Sequence, residues 1–153
     1  MWKQVLTFVG NLYFNRWTRG RSLTEMMVAL QASSQKLQRR FDGCSDVPRN
    51  RQVLSHIVGI ERWGQRRLRV ALGDPFEMDE YDSYRPARET DWATLQTMFA
   101  ETRRETVRLI GLIERAGVAD VRVRHNMYGE LTVRGWLKYL LVHADAEAMK
   151  MRS

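Results

Sequence analysis

Apolar residues return along most of the chain with the period of a helix. Between residues 24 and 42 they fall at Met27, Leu30, Leu37 and Phe41, with Ser34 in the same stripe. Spacings of three and four place such residues on one helix face. Thr24 is a candidate N-cap and Gly43 a stop. Residues 50–72 repeat the pattern through Val53, Ile57, Ile60, Gly64, Leu68 and Ala71, with Asn50 as a candidate cap and Gly73 and Pro75 closing the end. Residues 91–116 carry it through Trp92, Leu95, Phe99, Thr102, Thr106, Leu109 and Ile113, from a candidate cap at Thr90 to Gly117. Residues 132–150, capped by Thr132, carry it through Val133, Trp136, Leu137, Leu140, Leu141 and Ala144.

The pattern predicts an all-α protein, a bundle of four helices of roughly 19–26 residues, each about 28–39 Å long at the rise of an α-helix. The connection over residues 74–90 is long enough to cross from one end of a bundle to the other. Strand alternation is confined to Val121–Arg124, too short to decide. Residues 1–23 read as a separate N-terminal extension ahead of a bundle over 24–153. Trp2, Leu6, Val9, Tyr13 and Trp17 fall at helical spacing. Gly10-Asn11 would weaken that helix by roughly 1–1.5 kcal/mol relative to Ala. The same dipeptide could turn a hairpin. Either way the aromatic residues need a surface, on the bundle flank or on a second subunit.

Composition narrows the class. Of 153 residues, 44% are hydrophobic and 28% charged, as in ordinary globular domains. The single cysteine, Cys44, excludes an internal disulfide framework and a Cys-rich zinc module. The net charge of +7 is uneven. Residues 1–23 hold Lys3, Arg16, Arg19 and Arg21 and no acid. Residues 50–69 hold five arginines against Glu61. Residues 74–91 are acidic, with Asp74, Glu77, Asp79, Glu80, Asp82, Glu89 and Asp91 against Arg85 and Arg88. This acidic stretch opposes a continuous basic surface, so nucleic-acid binding is the least favoured reading. The N-terminal apolar run is broken by Gly10-Asn11 and followed by no cleavage pattern, and no stretch is long enough to span a bilayer. The expectation is a cytoplasmic protein with no membrane partner.

The three histidines concentrate the candidate chemistry. His143 lies in an apolar run with Glu147 four residues on, and i,i+4 residues share a helix face. His56 sits near the apolar face of the 50–72 helix. If those two helices are neighbours, His56, His143 and Glu147 form a two-imidazole, one-carboxylate set able to grip a divalent ion and leave positions open. A core histidine and a surface His–Glu pair are the plainer alternatives. His125 falls in a connection, where holding the loop by a backbone hydrogen bond is the expected role.

These residues, taken in order, resemble the DinB-like superfamily. The matching text runs from Leu54-Ser55-His56-Ile57-Val58-Gly59-Ile60-Glu61-Arg62-Trp63 through Arg66-Arg67-Leu68, Leu72–Phe76 and Asp79–Asp82. It continues with Trp92, Leu95, Phe99 and Arg103 or Arg104, then His125, Gly129–Thr132, Trp136 and His143. The resemblance covers about residues 24–151. It implies an up-down-down-up bundle, often a homodimer, with a divalent metal held by one histidine of the second helix and two of the fourth. Carried over, the ligands fall on His56 and His143, and the third falls on Glu147 in place of histidine. Zn, Ni or Fe is the implied ion, and the carboxylate departs from a three-imidazole site. The implied chemistry is thiol transfer with a small bacillithiol- or mycothiol-type cosubstrate, whose thiolate the metal would hold, or hydrolysis. Arg62, Arg66 or Tyr81 are candidates to touch that cosubstrate. The competing reading is a non-catalytic, stress-related bundle that has lost the metal and acts through dimerisation or partner binding.

Overall fold

A computed structural model covers residues 1–153. It contains five α-helices, α1 (Trp2–Asn11), α2 (Leu23–Asp42), α3 (Pro48–Ala71), α4 (Trp92–Ala116) and α5 (Val133–Ala148). Between α4 and α5 lies an antiparallel hairpin, β1 (Arg122–His125) and β2 (Gly129–Thr132), with Val123 paired to Leu131. The chain is thus mostly helical, in keeping with the expected all-α class, with one small two-stranded sheet added to it. Each strand has four residues, and only Val123, His125 and Leu131 turn into the core, so the alternation is too brief to read in advance.

The helix ends follow local chemistry. Ser22, not Thr24, caps α2: its hydroxyl accepts from the Glu25 N–H at 3.0 Å while the Glu25 carboxylate accepts from the Ser22 N–H. Asp91, not Thr90, caps α4, accepting from the Thr94 N–H at 2.8 Å. Thr132 caps α5 as expected, accepting from the Gly135 N–H. Asn50 is no cap, because α3 starts two residues earlier at Pro48, which suits a first turn that needs no N–H. Its amide instead donates to the Ser45 and Arg152 carbonyls at 2.8 and 2.7 Å, tying residue 152 to the start of α3.

Side-chain bonds set the helix directions. Arg103 donates to the Leu30 carbonyl while Trp92 packs on Phe41, so α2 and α4 are antiparallel. Glu61 pairs with Arg103 and Arg69 with Glu105, so α3 and α4 are parallel. His56 meets His143 while Gly64 abuts Leu140, so α3 and α5 are antiparallel. Arg40 donates to the Ala148 carbonyl, joining the C-terminal ends of parallel α2 and α5. A parallel α3–α4 pair needs a connection that returns along its length, and residues 72–91 supply it. Arg67, fully buried, pins this segment: it meets Asp79 at 2.9 Å and donates to the Glu77 carbonyl at 2.8 Å.

Two apolar clusters fill the interior, one around Leu30, Trp63, Leu109 and Trp136, the other around Phe41, Leu54, Phe99 and Ala144. Where they meet lies a polar layer. Arg103 donates to both Glu61 oxygens at 2.6 and 3.0 Å, and to the Leu30 carbonyl and the Ser33 hydroxyl. Thr106 donates to Glu61 as well, and Gln65 donates to Thr102 and Thr106. Glu61 and Arg103 are each 1% exposed.

Residues 1–18 do not form a hairpin at Gly10-Asn11. α1 continues through a π-helical turn at Leu12–Arg16 and docks on β1–β2. Thr7 donates to the Met127 carbonyl, Asn11 to Tyr128 and Asn15 to Glu130, and Asn15 accepts from the Thr132 N–H. A Cβ at Gly10 would collide with the Tyr128 ring, which is why glycine stands in mid-helix despite its propensity penalty.

Removing one partner of the buried pair exposes its importance. Arg103→Ala leaves the Glu61 carboxylate unpaired in the core and should lower stability by about 3–5 kcal/mol in denaturant unfolding. Arg103→Met combined with Glu61→Leu should recover much of that loss. A single-variant loss under about 1 kcal/mol would contradict the assignment.

Candidate metal centre

The antiparallel pairing of α3 and α5 carries His56 to His143, and one helical turn along α5 brings Glu147 to the same face. The two Nε2 atoms lie 3.1 Å apart, and the ligand atoms of all three residues lie within 4.8 Å of one another. Two ligands on a tetrahedral ion at ~2.1 Å are about 3.4 Å apart, so the imidazole spacing suits a shared ion. It also suits a hydrogen bond, provided one ring carries its proton on Nε2. Glu147 is held from the other side: its carboxylate accepts from Lys150 at 2.7 Å.

The electrostatics keep both rings neutral, the form that binds metal. Burial pushes His143 down to about 4, and the neighbouring His56 adds to the effect. Burial also lowers His56; Glu147 opposes this, and Arg85 and Lys150 reinforce it. Burial alone would raise Glu147, but the Lys150 hydrogen bond and charge, joined by His143 and His56 at the acid pH where those rings protonate, outweigh it and hold the carboxylate below its usual range. The set therefore offers two neutral imidazoles and one anion, a donor mixture suited to Zn, Ni or Fe.

Aromatic rings wall the site. Tyr81 stands edge-on to His56 with centroids 4.9 Å apart, and Tyr139, one turn before His143, lies 5.7 Å from it. Burial pushes the Tyr139 hydroxyl up, so it stays protonated at neutral pH. Tyr139 was legible in principle, because Tyr139, His143 and Glu147 form one i,i+4 stripe. Lys150, the competitor for Glu147, was legible by its i,i+3 spacing.

Comparison of the chain with family models, with curated proteins and with solved structures finds no match. The geometry therefore carries the functional reading. Of the cosubstrate candidates, only Tyr81 reaches the histidine pair. Arg62 donates to the Tyr84 carbonyl, and Arg66 pairs with Asp74 and the Pro75 carbonyl, so both fasten the 72–91 connection instead. Cys44 is a half-buried free thiol with no nucleophile partner.

His125 is no ligand. It closes β1, and its Nδ1 accepts from the Met127 and Tyr128 N–H groups at 3.0 and 3.2 Å, the loop-holding role expected of it. Trp63, Tyr128, Trp136 and Tyr139 enclose its ring. Its Nε2 finds no oxygen or nitrogen partner. The Tyr139 ring stands edge-to-face with the imidazole, centroids 4.5 Å apart at 80°.

Burial, followed by the Arg67 and His143 charges, pushes His125 from 6.5 down to about 3. A base whose pKa is lowered by folding stabilises the protein fully above its unfolded value. That contribution is lost as pH falls from 6.5 through about 3. Unfolding measured at pH 7 and at about pH 4.5 should show a loss of roughly 2–3 kcal/mol from His125 alone. Equal stabilities at the two pH values would refute it.

Proposed function

We propose that the chain is a DinB-like four-helix bundle, up-down-down-up, that binds a divalent metal through His56, His143 and Glu147. The helix directions support the bundle: α2 and α5 run one way, α3 and α4 the other, with the long connection between the parallel pair. The observation that carries the metal reading is the convergence of two neutral imidazoles and one carboxylate from two helices. The donors fit, since a zinc-type ion accepts nitrogen and carboxylate ligands together.

A bound divalent ion supplies Lewis acidity, lowering the pKa of a coordinated thiol or water. The chain's own residues set the conditions for that chemistry. His56 and His143 stay deprotonated through burial, Tyr81 and Tyr139 restrict water around them, and the protonated Tyr139 hydroxyl can donate a hydrogen bond. Gln52, one turn before His56, opens on a groove of about 710 Å³ that Ser55, Arg51, Arg85 and Arg88 also line. Arg51 is held there by Asp46, and Arg85 by Ser55, the Gln52 carbonyl and Asp82, which leaves Arg88 as the cation free to meet an anionic cosubstrate.

Protein purified without chelating resin and stripped of metal should bind Zn²⁺ or Ni²⁺ near one equivalent by calorimetry. His143→Ala should weaken binding by more than the 10–100-fold typical of a supporting residue, and Glu147→Gln by about tenfold or more. Lys150→Ala should strengthen it by freeing the carboxylate. Binding that is undetectable, or indifferent to His143→Ala, removes the metal reading and leaves the non-catalytic one.

A further inference from the structure

α1 is built inside out. Its docked face is small or polar, through Thr7, Gly10, Asn11 and Asn15, and only Phe14 buries an aromatic ring in the core. The opposite face shows Trp2, Val5, Phe8, Val9, Leu12 and Trp17 to solvent. Trp2 is 77%, Phe8 68% and Trp17 64% exposed. An ordinary surface helix does the reverse, and a continuous exposed apolar stripe marks an interaction site.

Charge identifies what covers it. Residues 1–23 hold Lys3, Arg16, Arg19 and Arg21 with no acid, and none of the four is in an ion pair. A groove of about 810 Å³ runs beside the stripe, with Phe8 and Leu12 on one side and Arg16, Arg19, Arg122 and Arg134 around it. Asp120 is its one acid, and Arg134 already neutralises it at 3.1 Å. A second copy seated through its own α1 face would set basic residues against basic residues. A nucleic acid would satisfy the arginines and leave the aliphatic Val5, Val9 and Leu12 unserved. A bilayer with anionic lipid satisfies both, taking the stripe into its acyl boundary and the arginines among its phosphates.

We propose that the exposed face of α1, with the Arg16–Arg19–Arg122 groove beside it, docks on the surface of bilayers containing anionic phospholipid. No helix of the chain is long and apolar enough to cross a membrane. The expectation of no membrane partner rested on that missing span, and a helix lying in the interface needs none. The inference is independent of the metal reading.

Flotation of the full chain with vesicles tests it, using phosphatidylcholine alone or with about a third phosphatidylglycerol. Binding to the anionic vesicles should be at least about tenfold stronger and should weaken as salt is raised. Tryptophan emission should shift to the blue as Trp2 and Trp17 leave water. Arg16→Glu with Arg19→Glu should reduce binding by about tenfold or more, and Phe8→Glu with Trp17→Glu should abolish it. Because these side chains are exposed, circular dichroism should be unchanged. Equal binding to both vesicle types, or none to either, overturns the proposal. So does a dimer in sedimentation that Phe8→Glu dissociates, since the occupant is then a second copy. Displacement from vesicles by nucleic acid bound through the same arginines would also overturn it.

Discussion

The arrangement of the four long helices turns on the contact between Arg103 and Glu61. Arg103 reaches from α4 to the carboxylate of α3 and to the Leu30 carbonyl of α2, so one side chain references three helices. Apolar packing tolerates sliding and rotation far better than a two-pronged hydrogen bond does. With both groups out of water, any register that separates them strands two charges. The layer therefore selects one arrangement among several that would bury similar apolar area. The apolar clusters on either side supply most of the stabilisation, and the pair supplies specificity.

That constraint reaches the candidate metal centre through α3. Five residues separate His56 from Glu61, which on an α-helix is about 140° of rotation. With Glu61 held toward α4 by Arg103, His56 is turned toward α5, where His143 and Glu147 lie. The site is thus assembled by a contact it does not include. The parallel α3–α4 pair also forces the long connection, and Arg67 with Asp79 fixes that connection so that Tyr81 stands against His56.

Much of this was legible in the sequence, and the failures share a cause. Period-3.6 apolar spacing located the four long helices, and the i,i+4 relation located His143 and Glu147. Helix starts slipped by one or two residues because Ser22 and Thr24, or Thr90 and Asp91, are all competent caps and only the observed backbone decides between them. Glu61 and Arg103 were missed as a pair because a pattern reading sends charged residues outward. The hairpin was missed because four-residue strands carry barely one alternation. The stripe Ser34–Leu37–Phe41 was off by a residue at its polar member, since it is Ser33 that turns inward to meet Arg103.

The first helix inverts the same assumption. Of the two surfaces the sequence left open for the aromatic residues of this segment, the bundle flank presumes that apolar faces seek the protein's own core. Here the hairpin offers α1 a row of free carbonyls at Met127, Tyr128 and Glu130, and a carbonyl row is matched by amides and hydroxyls. Thr7, Asn11 and Asn15 answer it, and Gly10 lets the backbones approach. Once those residues claim the inner face, helical geometry sends the aromatic ones outward. The exposed stripe is therefore held in place by specific polar anchors, as expected of a surface presented to a partner rather than of a poorly packed end.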